Sequence, residues 1–210
     1  MTSLQKLGGI AAFLNAIVAI ATLAIVVFLI RLSAIADPTK LNELAIHNPL
    51  PLLVQDGLKL FSAALSTVLV LALASYLRRH DSANNSATLV ASSLGILSAL
   101  CLAGNAAVSL YGITQATTLD DLTEFNGDQL NNWIRFLALA AIGLDGLWLF
   151  WISWLALKHR RLPVYLCYFG LVMGMFSLIP PLGLIVLILG IFWSIWIGNV
   201  LLQDALTNEI

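Results

Sequence analysis

Residues 162–203 read LPVYLCYFGLVMGMFSLIPPLGLIVLILGIFWSIWIGNVLLQ, and no charged residue interrupts them. As one helix rising about 1.5 Å per residue, this stretch would reach roughly 63 Å, twice the roughly 30 Å hydrocarbon core of a bilayer. It must therefore turn back on itself. Pro180-Pro181 stands near its middle, and a Pro-Pro pair cannot continue an ordinary helix, because it removes backbone donors and clashes with the preceding turn. The stretch divides into two expected membrane helices, 163–179 and 182–202. A single kinked or re-entrant segment is the alternative there.

The rest of the chain follows the same pattern. Of its 210 residues 60% are hydrophobic and 10% charged, and the mean hydropathy is +0.95. A soluble domain carries about 25% charged residues, so this composition describes an integral membrane protein. Further apolar runs place spans at about 8–31, 58–77, 88–113 and 133–157, and the first is expected to be retained as a membrane helix. Alternating ten-residue strands are absent, which excludes a barrel. The expected fold is all-α: a polytopic six-span transmembrane bundle forming one domain over residues 1–210, without an internal repeat.

With six spans, Lys6, Arg78, Arg79, Lys158, Arg160 and Arg161 share one side with both termini. The other side holds Arg31, Lys40, Lys59 and Arg135 among most of the acids. The positive-inside rule assigns the first side, and so both termini, to the cytoplasm of a bacterial inner (plasma) membrane. The first external loop, Ser33–Gly57, contains Asp37-Pro38, a helix-start pair, and predicts an interfacial helix over Thr39–His47. The acidic loop Thr117–Asn131 carries Asn126-Gly127-Asp128, a turn signal.

Several residues stand out against this background. Asp145 lies near the centre of the fourth span, where a carboxylate costs about 2.5–3.5 kcal/mol on insertion scales. No basic side chain is expected at its depth. It is either protonated and hydrogen-bonded as packing glue, with Thr22, Ser66, Thr67 or Ser98 in reach, or a proton or cation site with Asn105 lining the path. Asn15 and Asn199 read as interhelical glue. Ala87, Ala91, Gly95, Ala99, Ala103 and Ala107 recur every fourth position, a small-residue seam that marks the third helix as the close-packed centre. Gly170 and Gly174 form a GxxxG pair on the fifth. Gly183, Gly190 and Gly198 thin one side of the sixth. Trp133 and Trp154 suit interfacial belts, whereas Trp148, Trp151, Trp193 and Trp196 lie deeper and suit packing or lipid contact.

Other classes lack their chemistry. A net charge of -1 gives no nucleic-acid footprint. His47, His80 and His159 all fall in loops, which leaves no embedded haem or metal ligand, and no mid-membrane lysine is present to hold retinal. Cys101 and Cys167 differ too much in depth for a disulfide. No Walker, HExxH or GxSxG motif occurs. No cofactor is expected, and the chain reads as non-catalytic.

Leu162-Pro163-Val164-Tyr165-Leu166-Cys167-Tyr168-Phe169-Gly170-Leu171-Val172-Met173-Gly174, Pro180-Pro181-Leu182-Gly183 and Phe192 through Leu202, together with Ala36-Asp37-Pro38 through Asn48-Pro49, resemble a family of bacterial six-helix membrane proteins known only by a domain of unknown function. The resemblance implies the six-helix architecture and no established activity. The leading expectation is a structural or accessory subunit of a larger membrane complex, with the lipid bilayer and other membrane subunits as partners. The alternative is a small proton- or cation-coupled transporter using Asp145. A lipid-acting enzyme ranks last for want of an acid–base pair.

Overall fold

The computed structural model describes residues 2–30, 44–78, 85–118, 127–179 and 182–207. Every element among them is helical: α1 (Thr2–Ala24), continued by a π-helical segment (Ile25–Ile30), then α2 (Leu50–Arg78), α3 (Asn85–Thr118), α4 (Gly127–Lys158), α5 (Val164–Ser177) and α6 (Gly183–Thr207). Five of these are long and apolar enough to cross a membrane. The 14 residues of α5 reach only about 21 Å. The architecture is an all-α bundle of membrane-length helices with one shorter member.

The helices outrun the expected spans. α2 begins at Leu50, not at 58, so Gln55, Asp56 and Gly57 lie on a helix and not in a loop. Pro49 and Pro51 explain the start, since proline is tolerated in a first turn whose N–H groups have no intrahelical partner, and the Leu53 N–H donates to the Pro49 carbonyl at 3.0 Å. Of the expected interfacial helix, 44–47 are helical and 39–43 fall outside the described residues. The acidic loop residues Asp120, Asp121 and Glu124 and the Pro180-Pro181 pair also fall outside them. The reversal between α5 and α6 is nonetheless visible in their packing, which pairs Gly170 with Trp193 and Met173 with Gly190 in antiparallel order.

Each helix packs on its neighbours in sequence, and α1 packs on α6, which closes a ring. Neighbours run antiparallel. Gly8 abuts Ala72 while Asn15 meets Ser62, and Gly95 abuts Val70 while Asn105 meets Lys59. Lys6, Arg78, Lys158, Arg160 and Arg161 thus lie at one end of the ring, here called the basic end. There α4 closes with the Arg161 N–H donating to the Ala156 carbonyl at 3.0 Å and Arg160 in the left-handed region (φ 52°), a Schellman-type stop. Tyr76 of α2 ties this turn down by donating to the Arg161 carbonyl at 3.1 Å.

The main core fills the basic half of the ring. It unites Ala12, Leu69, Val70, Leu73, Tyr76 and Leu77 of α2, Ala91, Trp148, Leu149, Ile152, Leu155 and Ala156 of α4, Leu162, Leu166, Cys167, Met173, Trp193, Ile197 and Leu201. The centre is α2: half of its most apolar stretch is buried, against a third for α3. This corrects the expectation from the small-residue seam. Ala91, Gly95 and Ala99 are buried, but Ala103 is only half-buried and Ala107 is exposed. A four-residue repeat advances about 40° per step around a helix of 3.6 residues per turn, so between Ala91 and Ala107 it swings to the far side. Small residues mark where backbones approach, and large ones mark what a bundle encloses. Gly170 and Gly174 do mark a close approach: a Cβ at Gly174 would lie 2.7 Å from the Gly146 carbonyl oxygen.

Candidate functional site

Asp145 occupies an inward position on α4. Ala141, Leu149, Ile152 and Ala156 all fall within about 40° of it around the helix axis, and all are buried, Leu149, Ile152 and Ala156 at 3%, 1% and 0% exposure. The stripe lies between the edge packed on α3, where the Ser98 hydroxyl donates to the Ala141 carbonyl at 2.8 Å, and the edge packed on α5, where Gly146 abuts Ser177. It therefore faces the inside of the ring. Asp145 is nevertheless exposed. A side chain that points inward from a buried stripe and still meets solvent-sized space lines a recess.

The neighbouring helices open on the same side. On α6 the inward stripe is buried at Ala205, Leu201, Gly198 and Ser194, then only half-buried at Gly190, Leu187 and Gly183. A Cβ added at Gly183 would meet nothing within 4 Å. On α2, Leu77, Leu73 and Val70 are buried, whereas Ser66, Ser62 and Lys59 on the same stripe are half-buried. On α1 the change is local: Gln5 and Ala12 are buried and Leu23 is half-buried, while Val26 and Ile30 beyond it are buried again. The change falls where α5 ends. Ser177, its last residue, packs on Gly146, the residue after Asp145. The short fifth helix fills the ring only as far as Asp145.

Below the recess, one turn along α4, Trp148 stacks edge-to-face on Trp193 with ring centroids 6.0 Å apart and planes at 81°. Both indoles are buried, and both Nε1 atoms lack a hydrogen-bond partner. Trp151, Trp154, Trp196 and Trp133 are exposed on the outer surface, so of the four deep tryptophans two pack inside and two face outward.

The other residues singled out with Asp145 do not gather around it. The Thr67 hydroxyl donates to its own helix at Ala63, 2.9 Å away. Ser98 serves the α3–α4 contact. Asn105 lies further from the basic end, where its Nδ2 donates to the Ile134 carbonyl at 2.7 Å. Thr22 and Ser66 are half-buried, and Asn199 is exposed. Asn15 does act between helices, accepting from the Ser62 hydroxyl at 2.6 Å. Asp145 itself has no hydrogen-bond or ion-pair partner among the described residues.

One polar group lay hidden in the sequence. Lys59 Nζ donates to Asp56 Oδ1 at 2.7 Å and to Asn105 Oδ1 at 3.1 Å. With Asn105 bonded to Ile134, the chain of contacts clamps α2, α3 and α4 near the end opposite the basic one. Asp56 is 2% exposed, and its second oxygen has no partner. Its i,i+3 spacing to Lys59 is the available signal, but the expected bounds separate the two, Asp56 in the loop Ser33–Gly57 and Lys59 at the start of the span 58–77.

Among the described residues no three His, Cys, Asp or Glu side chains gather to hold a metal ion, and Cys101 and Cys167 are free thiols. The chain matches no family model, no curated protein and no solved structure at a significant level.

Proposed function

We propose that this protein is a six-span carrier of the bacterial inner membrane, with both termini cytoplasmic, in which Asp145 binds a proton or cation inside the ring. The observation that supports it is the accessible carboxylate on an otherwise buried inward stripe. An acid used only to glue helices would be packed and bonded, since leaving a buried polar group unpaired is costly. An acid in a recess half-way along a membrane helix is placed to exchange a ligand. The orientation rests on the clustering of Lys6, Arg78, Lys158, Arg160 and Arg161 at one end. It does not depend on whether α5 crosses the membrane alone, because α5 and α6 leave and return to the same end.

The test is infrared spectroscopy and flux measured on the same protein. In liposomes, the Asp145 carboxyl band should respond to pH or to added monovalent cation, and Asp145→Asn should abolish both the band and the coupled flux while thermal unfolding stays at the wild-type temperature. A band indifferent to every cation, in a protein that copurifies stoichiometrically with another membrane subunit, would overturn the proposal and favour the accessory-subunit reading.

A further inference from the structure

The geometry points to a lipophilic organic cation, reaching Asp145 sideways from the membrane, as the ligand of this recess; the inference rests on the reading of Asp145 as a cation site.

Three observations converge. First, α5 is the element that joins α4 to α6 in the ring, and it stops at Ser177, level with Gly146. Beyond that level, among the described residues, no helix stands between α4 and α6. Second, the flanks of this gap are apolar and exposed: Ile142 on α4, Leu178 and Ile179 after α5, and Leu184 and Ile185 on α6. Water-soluble ligands gain nothing from such a rim, whereas a membrane-dissolved ligand crosses it without shedding a hydration shell. Third, Asp145 is the one acid on the inward stripes described above, and the α6 stripe of Gly183, Leu187 and Gly190 is half-buried and carries no charge.

That chemistry selects its ligand. A bare calcium or magnesium ion needs about six oxygen ligands, carboxylates foremost, and no group of three His, Cys, Asp or Glu side chains gathers among the described residues. An ammonium or phosphonium centre clothed in hydrocarbon needs only one counter-charge, and its attraction to Asp145 is strong because the surroundings are of low dielectric. The glycines on α6 leave the width that a bulky apolar body requires.

The experiment is equilibrium binding of radiolabelled tetraphenylphosphonium to the full chain in lipid nanodiscs, with empty discs subtracted. Saturable binding at one per chain is expected, weakened at least tenfold in Asp145→Asn. Leu187→Trp, which fills the recess and leaves the carboxylate, should weaken it similarly. In the wild-type protein tetraphenylphosphonium should also shift the Asp145 carboxyl band. Binding unchanged in Asp145→Asn, or no saturable binding at all, overturns the inference. If tetraphenylphosphonium fails while the band still answers to protons or sodium, the lipophilic ligand falls and the carrier reading stands. If the band answers to nothing, both fall.

Discussion

The basic half of the ring is built from six helices and the half beyond Asp145 from five of them, and the two differ also in what their inward stripes carry. In the basic half α2 turns Leu77, Leu73 and Val70 inward; further along, the same stripe carries Ser66, Ser62 and Lys59. α4 exchanges Ala156, Ile152 and Leu149 for Asp145. Burying apolar surface against protein gains little over burying it in lipid, because lipid tails are as apolar as leucine. What holds the closed half together is therefore close packing and the dispersion contacts it makes. The open half adds directed bonds, the Asp56–Lys59–Asn105–Ile134 chain and the Asn15–Ser62 pair, to a smaller apolar cluster of Val18 and Leu65 with Leu58. A membrane bundle can thus be closed by shape at one end and clamped by polar contacts at the other, which leaves space between them.

The largest expected effect tests the closed half. Leu73 is fully buried in the main core, and Leu73→Ala leaves a cavity that rigid helices cannot collapse. Lost packing of this kind costs about 2–5 kcal/mol in soluble cores, and we expect about 2–3 kcal/mol here, since the transfer part is small in lipid. Leu187→Ala, in the open half, should cost less than about 0.5 kcal/mol, because its side chain already borders space. Thermal unfolding in mild detergent measures both. Equal losses would erase the distinction between the halves.

The second effect tests the clamp. Lys59→Met strands the buried Asp56 carboxylate without its counter-charge. Breaking a buried pair costs about 3–5 kcal/mol, and the part-exposure of Lys59 reduces our expectation to about 2 kcal/mol. Removing both charges, Lys59→Met with Asp56→Leu, should restore most of that loss, because the unpaired charge is what destabilises. A double variant no more stable than the single one would mean that the lysine acts by some route other than neutralising Asp56.

Much of this arrangement was legible beforehand, and its gaps have physical causes. The reversal at Pro180-Pro181, the helical pieces and the close approach at Gly170 and Gly174 follow from backbone chemistry that acts locally. The early start of α2 was not legible, because a hydropathy window closes at the first charges, while Asp56 and Lys59 neutralise each other on one helix face. The centre was misplaced on α3 because a stripe of small residues reports approach without reporting enclosure. Asp145 was recognised as out of place. Its inward, open setting depends on where α5 stops relative to α4, a tertiary fact that no spacing within α4 encodes.

The smallest effect sharpens the comparison with the least perturbing change, one methyl group. Gly174 lies where α5 crosses α4. A Cβ there would stand 2.7 Å from the Gly146 carbonyl oxygen and 2.8 Å from the Phe150 Cβ and backbone nitrogen. Two of those three atoms are backbone, so they yield only if a helix moves, and Gly174→Ala should cost about 1–2 kcal/mol through overpacking. Gly183, at the start of α6, is half-buried on the inward stripe, and a Cβ there meets nothing within 4 Å. Alanine is the better helix former by about 0.8–1.0 kcal/mol in a helix interior, and the first turn retains part of that. Gly183→Ala should therefore leave stability unchanged or raise it by up to about 0.5 kcal/mol. The two substitutions add the same atom to the same residue type, so a difference in sign isolates the space around it. Thermal unfolding with both proteins in one detergent decides the matter. If Gly183→Ala were as harmful as Gly174→Ala, the end of α6 would be packed, and the recess beside Asp145 would be closed.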